Sequence, residues 1–240
     1  MKERSLQTGI TFATSVYEKD WRNVLETGRY SKIHESCQYS FSHKMLMVNN
    51  LEPEHQLLET IDQMQQEGLV DQVRFTDMWK HLILDYFQIA PDNLMPGYHY
   101  LIQNLTAIYF CPTEYLLWFT GDCMMENETD WIDDAIALMQ KHDRIVVANP
   151  VWNGLFDNAK AESSGEIENF YYGYGFSDQC CLIPVARYRQ AIYSMDHRRS
   201  RRYPEYAGYS FERRIDSWMQ NNGFLRITHK EASYEHKNFQ

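Results

Sequence analysis

The stretch Tyr115-Leu-Leu-Trp-Phe-Thr-Gly-Asp-Cys-Met-Met-Glu126 decides the fold, because it is an apolar run that stops on a glycine and one carboxylate. Such a run is typical of a fully buried central strand that opens into a loop. Asp122 is therefore expected at the carboxyl edge of a sheet, where open α/β sheets bind ligands. There it would hold a metal ion or a ribose. Because Gly-Asp is also ordinary turn chemistry, the alternative is that Asp122 only closes a turn.

Strand patterns and helical patterns alternate on both sides of this run. β-rich segments at residues 10–16, 44–50, 70–76 and 145–149 are separated by stretches with apolar residues at helical spacing. This alternation predicts a single α/β domain over residues 1–240, with a mostly parallel, doubly wound sheet.

The second half of the chain has a different composition, and the change comes at Asn149-Pro150. We therefore divide the domain into halves at 8–149 and 150–240. Residues 151–176 show no periodicity and are predicted to form a long surface loop, which in compact domains is usually functional. A last strand is predicted at 224–228, with His229 following its end.

The chain has no run of eighteen apolar residues, so no transmembrane segment is predicted. The N-terminal residues lack the apolar core of a signal peptide, which makes the cytoplasm the expected location. The five cysteines form no C-x-x-C pair and are predicted to be buried thiols.

The charge of the chain is uneven. A formal net charge of −10 argues against nucleic acid as a partner. Six arginines nevertheless lie between Arg187 and Arg202, with Asp196 as the single acid among them. This segment is either built to meet an anion or is a solvated loop.

Three motifs give the chain a resemblance to the nucleotide-sugar glycosyltransferases of the A-type (GT-A) fold. Phe12-Ala-Thr-Ser-Val-Tyr17 is similar to the family's first nucleotide-binding strand, and Leu116-Leu-Trp-Phe-Thr-Gly-Asp122 is similar to the strand that carries its Asp-x-Asp motif. Phe211-Glu-Arg-Arg-Ile-Asp216 is similar to the acidic helix start where inverting members keep their base. The resemblance covers roughly residues 10–236 and implies a nucleotide-binding half at 8–149 and an acceptor-side half at 150–240.

The middle motif departs from the family, because Thr120-Gly-Asp122 has one acid where the family has two. In the family the pair holds a divalent cation, Mn²⁺ or Mg²⁺, against the diphosphate of the donor. With Asp122 alone, a second ligand is needed, and His229 and His236 are the candidates. His229 could also serve only as a polar residue at a strand end. Alternatively, arginines bind the diphosphate directly and no metal is used.

The resemblance also implies roles for other residues. Glu212 is the predicted base, with Asp216 one turn later as the reserve candidate, although helix starts favour acids in any case. The predicted contacts to base, ribose and diphosphate are Thr14, Ser15, Tyr17, Asn49, Asp77, Arg198, Arg199, Arg201 and Arg202. The donor would be a UDP- or GDP-linked sugar.

The acceptor, whether glycan, lipid or protein, is left open by the sequence. Two alternatives to a glycosyltransferase remain, a catalytically idle relative that binds a nucleotide sugar and another nucleotide-using α/β enzyme such as a nucleotidyltransferase. The missing first acid favours the idle relative. The absence of a glycine-rich phosphate loop argues against a P-loop or dinucleotide enzyme.

Overall fold

The structure, a computed structural model, describes residues 5–90, 97–203 and 208–237. Within these residues ten strands form one sheet. The strands are β1 Gln7–Tyr17, β2 His43–Asn49, β3 Gln72–Phe75, β4 Thr113–Thr120, β5 Cys123–Met125, β6 Ile145–Trp152, β7 Gly165–Ile167, β8 Phe170–Gly173, β9 Cys180–Pro184 and β10 Leu225–His236.

The helices lie on both faces of this sheet. They are α1 Arg29–Ser36, α2 His55–Gln66, α3 Thr76–Tyr86, α4 Tyr98–Phe110, α5 Ile132–Lys141, α6 Phe156–Ala161, α7 Val185–Tyr188 and α8 Phe211–Asn222. A π-helical turn, Arg22–Glu26, follows β1. A 3₁₀ helix, Arg198–Arg202, precedes α8 and is called the arginine turn below.

The strand order is β3-β2-β1-β4-β9-β6-β10-β8-β7, with β5 paired to β10. The four strands from β3 to β4 are parallel. β9 runs antiparallel to both β4 and β6, whereas β6 and β10 are parallel. The predicted α/β class with a doubly wound sheet is confirmed, and the antiparallel pairings all involve strands that follow β4 in the chain.

The central strands are buried on both faces, which explains their continuous apolar sequence. Phe12 of β1 packs into a core with residues of α1, α2 and α5, while the next residue, Ala13, packs into a second core with residues of α3, α4 and α8. In β4 the four residues from Leu116 to Phe119 are each at most 1% exposed. Burial of each large apolar side chain contributes about 1.5–3 kcal/mol.

The prediction of a long irregular loop at 151–176 is wrong. β6 continues to Trp152, and the rest of the segment forms α6 and the β7–β8 hairpin, whose outer strand is the last of the sheet. β7 and β8 are only three and four residues long, so their sequences are too short to show a clear alternation of apolar and polar residues.

The last strand is also longer than predicted, because β10 continues past residue 228 to His236. Its pairing with β6 is interrupted between Thr228 and Ser233. Inside this interruption, Nδ1 of His229 accepts hydrogen bonds from the backbone N–H groups of Glu231 and Ala232, at 3.2 and 2.9 Å. The polar run at 229–231 therefore marks a β-bulge rather than the end of the strand.

None of the described helices has the length and hydropathy needed to span a membrane.

Candidate functional site

The turn after β4 brings Asp122 to the carboxyl edge of the parallel strands. Only Gly121 and Asp122 separate the last residue of β4, Thr120, from the first residue of β5. Gly121 packs so closely on β1 that a Cβ atom there would lie 2.8 Å from the carbonyl oxygen of Ser15. The backbone approach requires glycine at this position. It places Asp122 beside the end of β1.

The close packing of Gly121 on β1 predicts that a larger residue at this position lowers the stability of the fold. Gly121→Ala is expected to lower the free energy of unfolding by about 2–3 kcal/mol, since its methyl group has to displace backbone. Gly173→Ala is the control, because there the nearest atoms to an added Cβ lie at 3.6–3.7 Å. Urea denaturation followed by circular dichroism measures both. Equal losses in the two variants would contradict the account of this turn.

His236 meets Asp122 at this edge. β5 and β10 are antiparallel, with His236 opposite Cys123, and Nε2 of His236 lies 2.9 Å from Oδ2 of Asp122. Nδ1 of the same ring lies 3.2 Å from Nε2 of Gln179. The backbone N–H of Lys237 donates to the carbonyl of Asp122 at 3.2 Å. The end of β10 thus fixes both the ring and the turn.

Cys123 offers a third potential ligand, since its sulfur and ligand atoms of Asp122 and His236 all lie within 4.8 Å of one another. The thiol is buried, however, and burial raises its pKa. It accepts a hydrogen bond from Oγ1 of Thr120 at 3.1 Å. A neutral, occupied thiol is a poor ligand, so the useful donor atoms are the carboxylate oxygen and the imidazole nitrogen.

The other histidine candidate, His229, is not part of this group. It is 3% exposed, its ring packs edge-on against Phe170, and its Nδ1 is occupied by the backbone of the bulge. The structure therefore gives His229 a role in the fold. His236 rather than His229 lies at the edge because β10 is longer than predicted.

A buried pair of carboxyl groups lies beside the Asp122–His236 pair. Glu212 is in the first turn of α8, whose N-cap Ser210 accepts from the N–H of Arg213. The backbone N–H of Asp178 donates to Oε1 of Glu212 at 3.3 Å. The two carboxyl groups lie close enough for each to influence the pKa of the other.

Burial is the main reason why both carboxyl groups of this pair have raised pKa values. It raises the pKa of Asp178 to about 6, and the charge of Asp122 adds to the rise while that of His236 opposes it. Burial and the neighbouring Asp178 raise the pKa of Glu212 well above its ordinary value. The pair therefore holds a proton close to neutral pH, as general acids and bases do.

Asp216, the reserve candidate for the base, serves the arginine turn instead. It is completely buried, accepts a hydrogen bond from Oγ of Ser200 at 2.6 Å, and lies 3.6 Å from the guanidinium of Arg202. Its carboxylate holds the arginine turn against α8. A role as base is not supported by this position.

The residues predicted to contact the nucleotide fall into two groups. Tyr17 ends β1 and is 39% exposed, so it lies at the surface of the edge, whereas Ser15 is buried at 7% exposure. Thr14 is fully buried. Asn49 is also buried, with its amide donating to the carbonyl of His99 and its oxygen accepting from Thr76, so it is not free for a ribose.

Two further acids, Asp77 and Asp20, lie just after the ends of β3 and β1. Asp77 lies in the first turn of α3 and accepts a hydrogen bond from the hydroxyl of Tyr98 at 2.8 Å. Asp20 accepts from the N–H of Tyr17 at 2.7 Å. Burial and the Asp122 charge raise the pKa of Asp20 to about 7. Asp20 is thus a second carboxyl group near Asp122.

The four arginines of the arginine turn are not equivalent. Arg201 pairs with Asp196 at 3.1 Å and Arg202 with Asp216 at 3.6 Å. Arg198 and Arg199 are exposed, and within the described residues neither forms an ion pair. The positive charge of Arg202 also lowers the pKa of Glu212, against the larger effect of burial. The turn therefore borders the carboxyl pair.

Asp178 and Gln179 are the site residues that the sequence analysis missed. They precede an apolar strand, and the rule that sites lie after strands excludes such a position. Because β9 is antiparallel to β4, however, its first residue pairs with Phe119, and Thr120 N–H donates to the carbonyl of Gln179 at 2.8 Å. The start of β9 thus lies at the same edge as the end of β4.

Comparison with known proteins shows the fold. No family model matches the sequence, and no curated protein matches it. Among solved structures 199 chains match, so the architecture is a common one. One is the crystal structure of GalNAc-T7 with UDP, GalNAc and Mn²⁺, at a TM-score of 0.57 and 12% identity. The match covers 98% of this chain but only 44% of that one. The chain therefore has the A-type glycosyltransferase fold.

Proposed function

We propose that this chain transfers a sugar from a UDP-linked donor to an acceptor hydroxyl, with the donor bound at Asp122 and His236. The observation that carries the proposal is the meeting of two pairs at one sheet edge, Asp122 with His236 and Asp178 with Glu212. The GalNAc-T7 structure of the same fold was determined with UDP and Mn²⁺. GDP is the other nucleotide that the sequence resemblance allows.

The donor atoms fit a divalent cation. Oδ2 of Asp122 and Nε2 of His236 lie 2.9 Å apart, and they would offer a cation one carboxylate oxygen, which suits Mg²⁺ and Mn²⁺, and one imidazole nitrogen, which suits transition metals. The ring of His236 is oriented through its other nitrogen by Gln179, as metal-binding histidines are. Bound Mn²⁺ or Mg²⁺ would neutralise charge on the diphosphate leaving group.

The carboxyl pair would complete the reaction. The acceptor oxygen forms a bond to the anomeric carbon while the bond from that carbon to the diphosphate oxygen breaks, and the electron pair leaves with UDP. The proton of the hydroxyl passes to the carboxylate of the Asp178–Glu212 pair. A base whose pKa lies near the working pH is well matched to this task.

An idle nucleotide-sugar-binding relative is the second candidate, favoured by Thr120 in place of the first acid of the motif. The buried carboxyl pair favours an enzyme, because burying acids costs stability. Release of UDP from UDP-glucose, UDP-galactose and their N-acetyl forms, measured with Mn²⁺, tests this. Binding of these donors without any UDP release, with or without acceptors, would favour the idle relative.

The arginine turn is predicted to strengthen binding of the diphosphate. Arg198→Ser/Arg199→Ser is expected to lower UDP affinity a few-fold and to reduce its salt dependence, because an acidic protein repels an anion at long range. The pairs of Arg201 and Arg202 remain intact in this variant.

Uridine is the control ligand, since it keeps base and ribose but lacks the charge. Calorimetry at two salt concentrations measures both ligands. Equal changes for uridine and UDP would show that the turn is only a solvated surface.

A further inference from the structure

A cavity of about 330 Å³ lies beside the site, between the end of β6, β10 and α6. One face of the α6 segment lines it, with Leu155, Asn158, Ala159 and Glu162 at the spacing of neighbours on a helix. None of the residues of α6 is buried. A helix over a sheet normally buries one face in the core, whereas here the space under that face is open.

The cavity reaches the reaction centre. Ser177 and Gln179, which flank Asp178, both line it. Gln179 contacts His236 at 3.2 Å and accepts from the hydroxyl of Tyr234 at 3.3 Å. A molecule in this cavity would therefore lie next to the carboxyl pair, where an acceptor hydroxyl is needed.

The lining combines an aromatic wall with polar groups. Trp152 is 46% exposed and Leu155 is 41% exposed, although side chains of this size are mostly buried. Arg226 also lines the cavity and has no ion pair within the described residues. Asn149 is 3% exposed, and its side-chain oxygen has no partner among the described atoms. An exposed indole beside hydrogen-bonding groups suits a ligand that has one apolar face and a polar rim.

We infer that this cavity binds a carbohydrate acceptor, with one sugar ring stacked on Trp152 and its hydroxyls bonded to the polar lining. The inference rests on the proposed function, since it assigns the acceptor of that reaction. A sugar ring has C–H groups on its faces and hydroxyls at its edge, which matches the wall and the rim. The volume is at the lower end of the roughly 300–1,000 Å³ of ligand sites, enough for one or two rings.

Other acceptor classes fit less well. An alkyl chain needs a continuous apolar channel, but Asn149, Asn158, Glu162 and Arg226 interrupt the apolar lining. An extended peptide binds by adding a strand to a sheet edge, and the two strands beside the cavity, β6 and β10, are paired with each other.

Saturation-transfer NMR tests the inference in the presence of UDP and Mn²⁺. The probes are methyl glycosides of glucose, galactose, mannose and N-acetylglucosamine, with lactose and maltose. A serine- and threonine-rich hexapeptide and octyl phosphate represent the other classes. We expect transfer to the ring protons of at least one saccharide, reduced five-fold or more in Trp152→Ala and largely kept in Trp152→Phe.

Met78→Ala is the matched control, because Met78 is a 76% exposed apolar side chain on α3. It is expected to leave the saccharide signal unchanged. No saccharide signal, an equal signal in Trp152→Ala, or displacement of the saccharide by the hexapeptide or octyl phosphate would overturn the inference.

Calorimetry of UDP with Mn²⁺ on the same samples separates this inference from the proposed function. Trp152→Ala is expected to bind UDP as the parent does. If the parent binds UDP but no saccharide, the acceptor assignment is wrong and the donor site stands. If the parent does not bind UDP, the donor site is wrong, and the saccharide signal with its Trp152 dependence still decides whether the cavity is a carbohydrate site.

Discussion

Glu212→Gln is expected to lower the rate of sugar transfer by about 10²–10⁴-fold, the usual contribution of general acid–base catalysis, with UDP affinity unchanged. Glutamine keeps the shape of the side chain and an oxygen that can accept from the N–H of Asp178. It removes one of the two carboxyl groups of the Asp178–Glu212 pair, the one whose pKa burial and Asp178 raise. Transfer is measured as UDP release in the presence of a saturating acceptor, and UDP affinity by calorimetry.

The same substitution is expected to stabilise the fold at pH 7. Burial raises the pKa of Glu212 in the folded chain, so between the ordinary pKa near 4 and the raised value the folded state binds more protons than the unfolded state. Stability contributed by the protonated form therefore falls as pH rises through this window. Removing the acid is therefore expected to raise the Tm at pH 7, and the increase is expected to disappear below about pH 4.

Glu114→Gln is the control for both measurements, since Glu114 is an exposed acid near the opposite end of β4. It is expected to change neither rate nor Tm. For the parent, the rate of transfer is expected to fall in acid with a midpoint near pH 6, following the pKa of Asp178. A Glu212→Gln protein that transfers sugar at the parental rate would remove the carboxyl pair from the mechanism.

His236→Ala is expected to weaken UDP binding in the presence of Mn²⁺ by about 10²-fold or more, since even indirect partners of a metal contribute 10–100-fold. Asp122→Ala is expected to have a similar effect. In EDTA the parent and both variants are expected to bind UDP equally weakly, because the lost interaction is made through the cation.

His229→Asn is the matched control on the same strand. Its side-chain oxygen can replace Nδ1 as acceptor for the N–H groups of Glu231 and Ala232, so the bulge is kept while the imidazole is removed. Calorimetry is expected to show parental affinity. Loss of Mn²⁺-dependent binding in His229→Asn but not in His236→Ala would reverse the assignment of the two histidines.

The sequence was sufficient for the parts of the fold that are locally determined. The apolar run before Gly121 predicted the central strand and the position of Asp122, because burial on both faces removes alternation from a strand. Ser210 and Gly223 are residue types typical of helix ends, and the structure shows both as the caps of α8. Glu212 was predicted at the site by its resemblance to the family's acidic helix start.

The sequence did not determine how the second half is paired. A short apolar segment such as 179–183 predicts a strand but not its direction, and the antiparallel direction of β9 is what brings Asp178 to the site. The position of His236 was likewise not predictable, because the polar interruption at the bulge in β10 resembles the end of a strand. Both features depend on neighbours that are distant in the chain.

The buried state of Asn49 and Thr14 was also beyond the sequence. Asn49 follows the pattern of a polar residue at a strand end, yet α4 covers it and accepts its amide through His99 and Gln103. Which strand ends are open and which are covered is decided by the packing of helices.

The proposed reaction depends on a divalent cation that Asp122 and His236 would hold and that would neutralise charge on the diphosphate of the donor. A crystal structure of the chain with UDP and Mn²⁺, with data collected at the manganese absorption edge, tests it most directly. One anomalous peak is expected in contact with Oδ2 of Asp122, Nε2 of His236 and oxygens of the diphosphate. UDP bound at this edge without a peak, or a peak at other residues while Asp122 and His236 keep their direct hydrogen bond, would show that these two residues do not hold a cation for the donor.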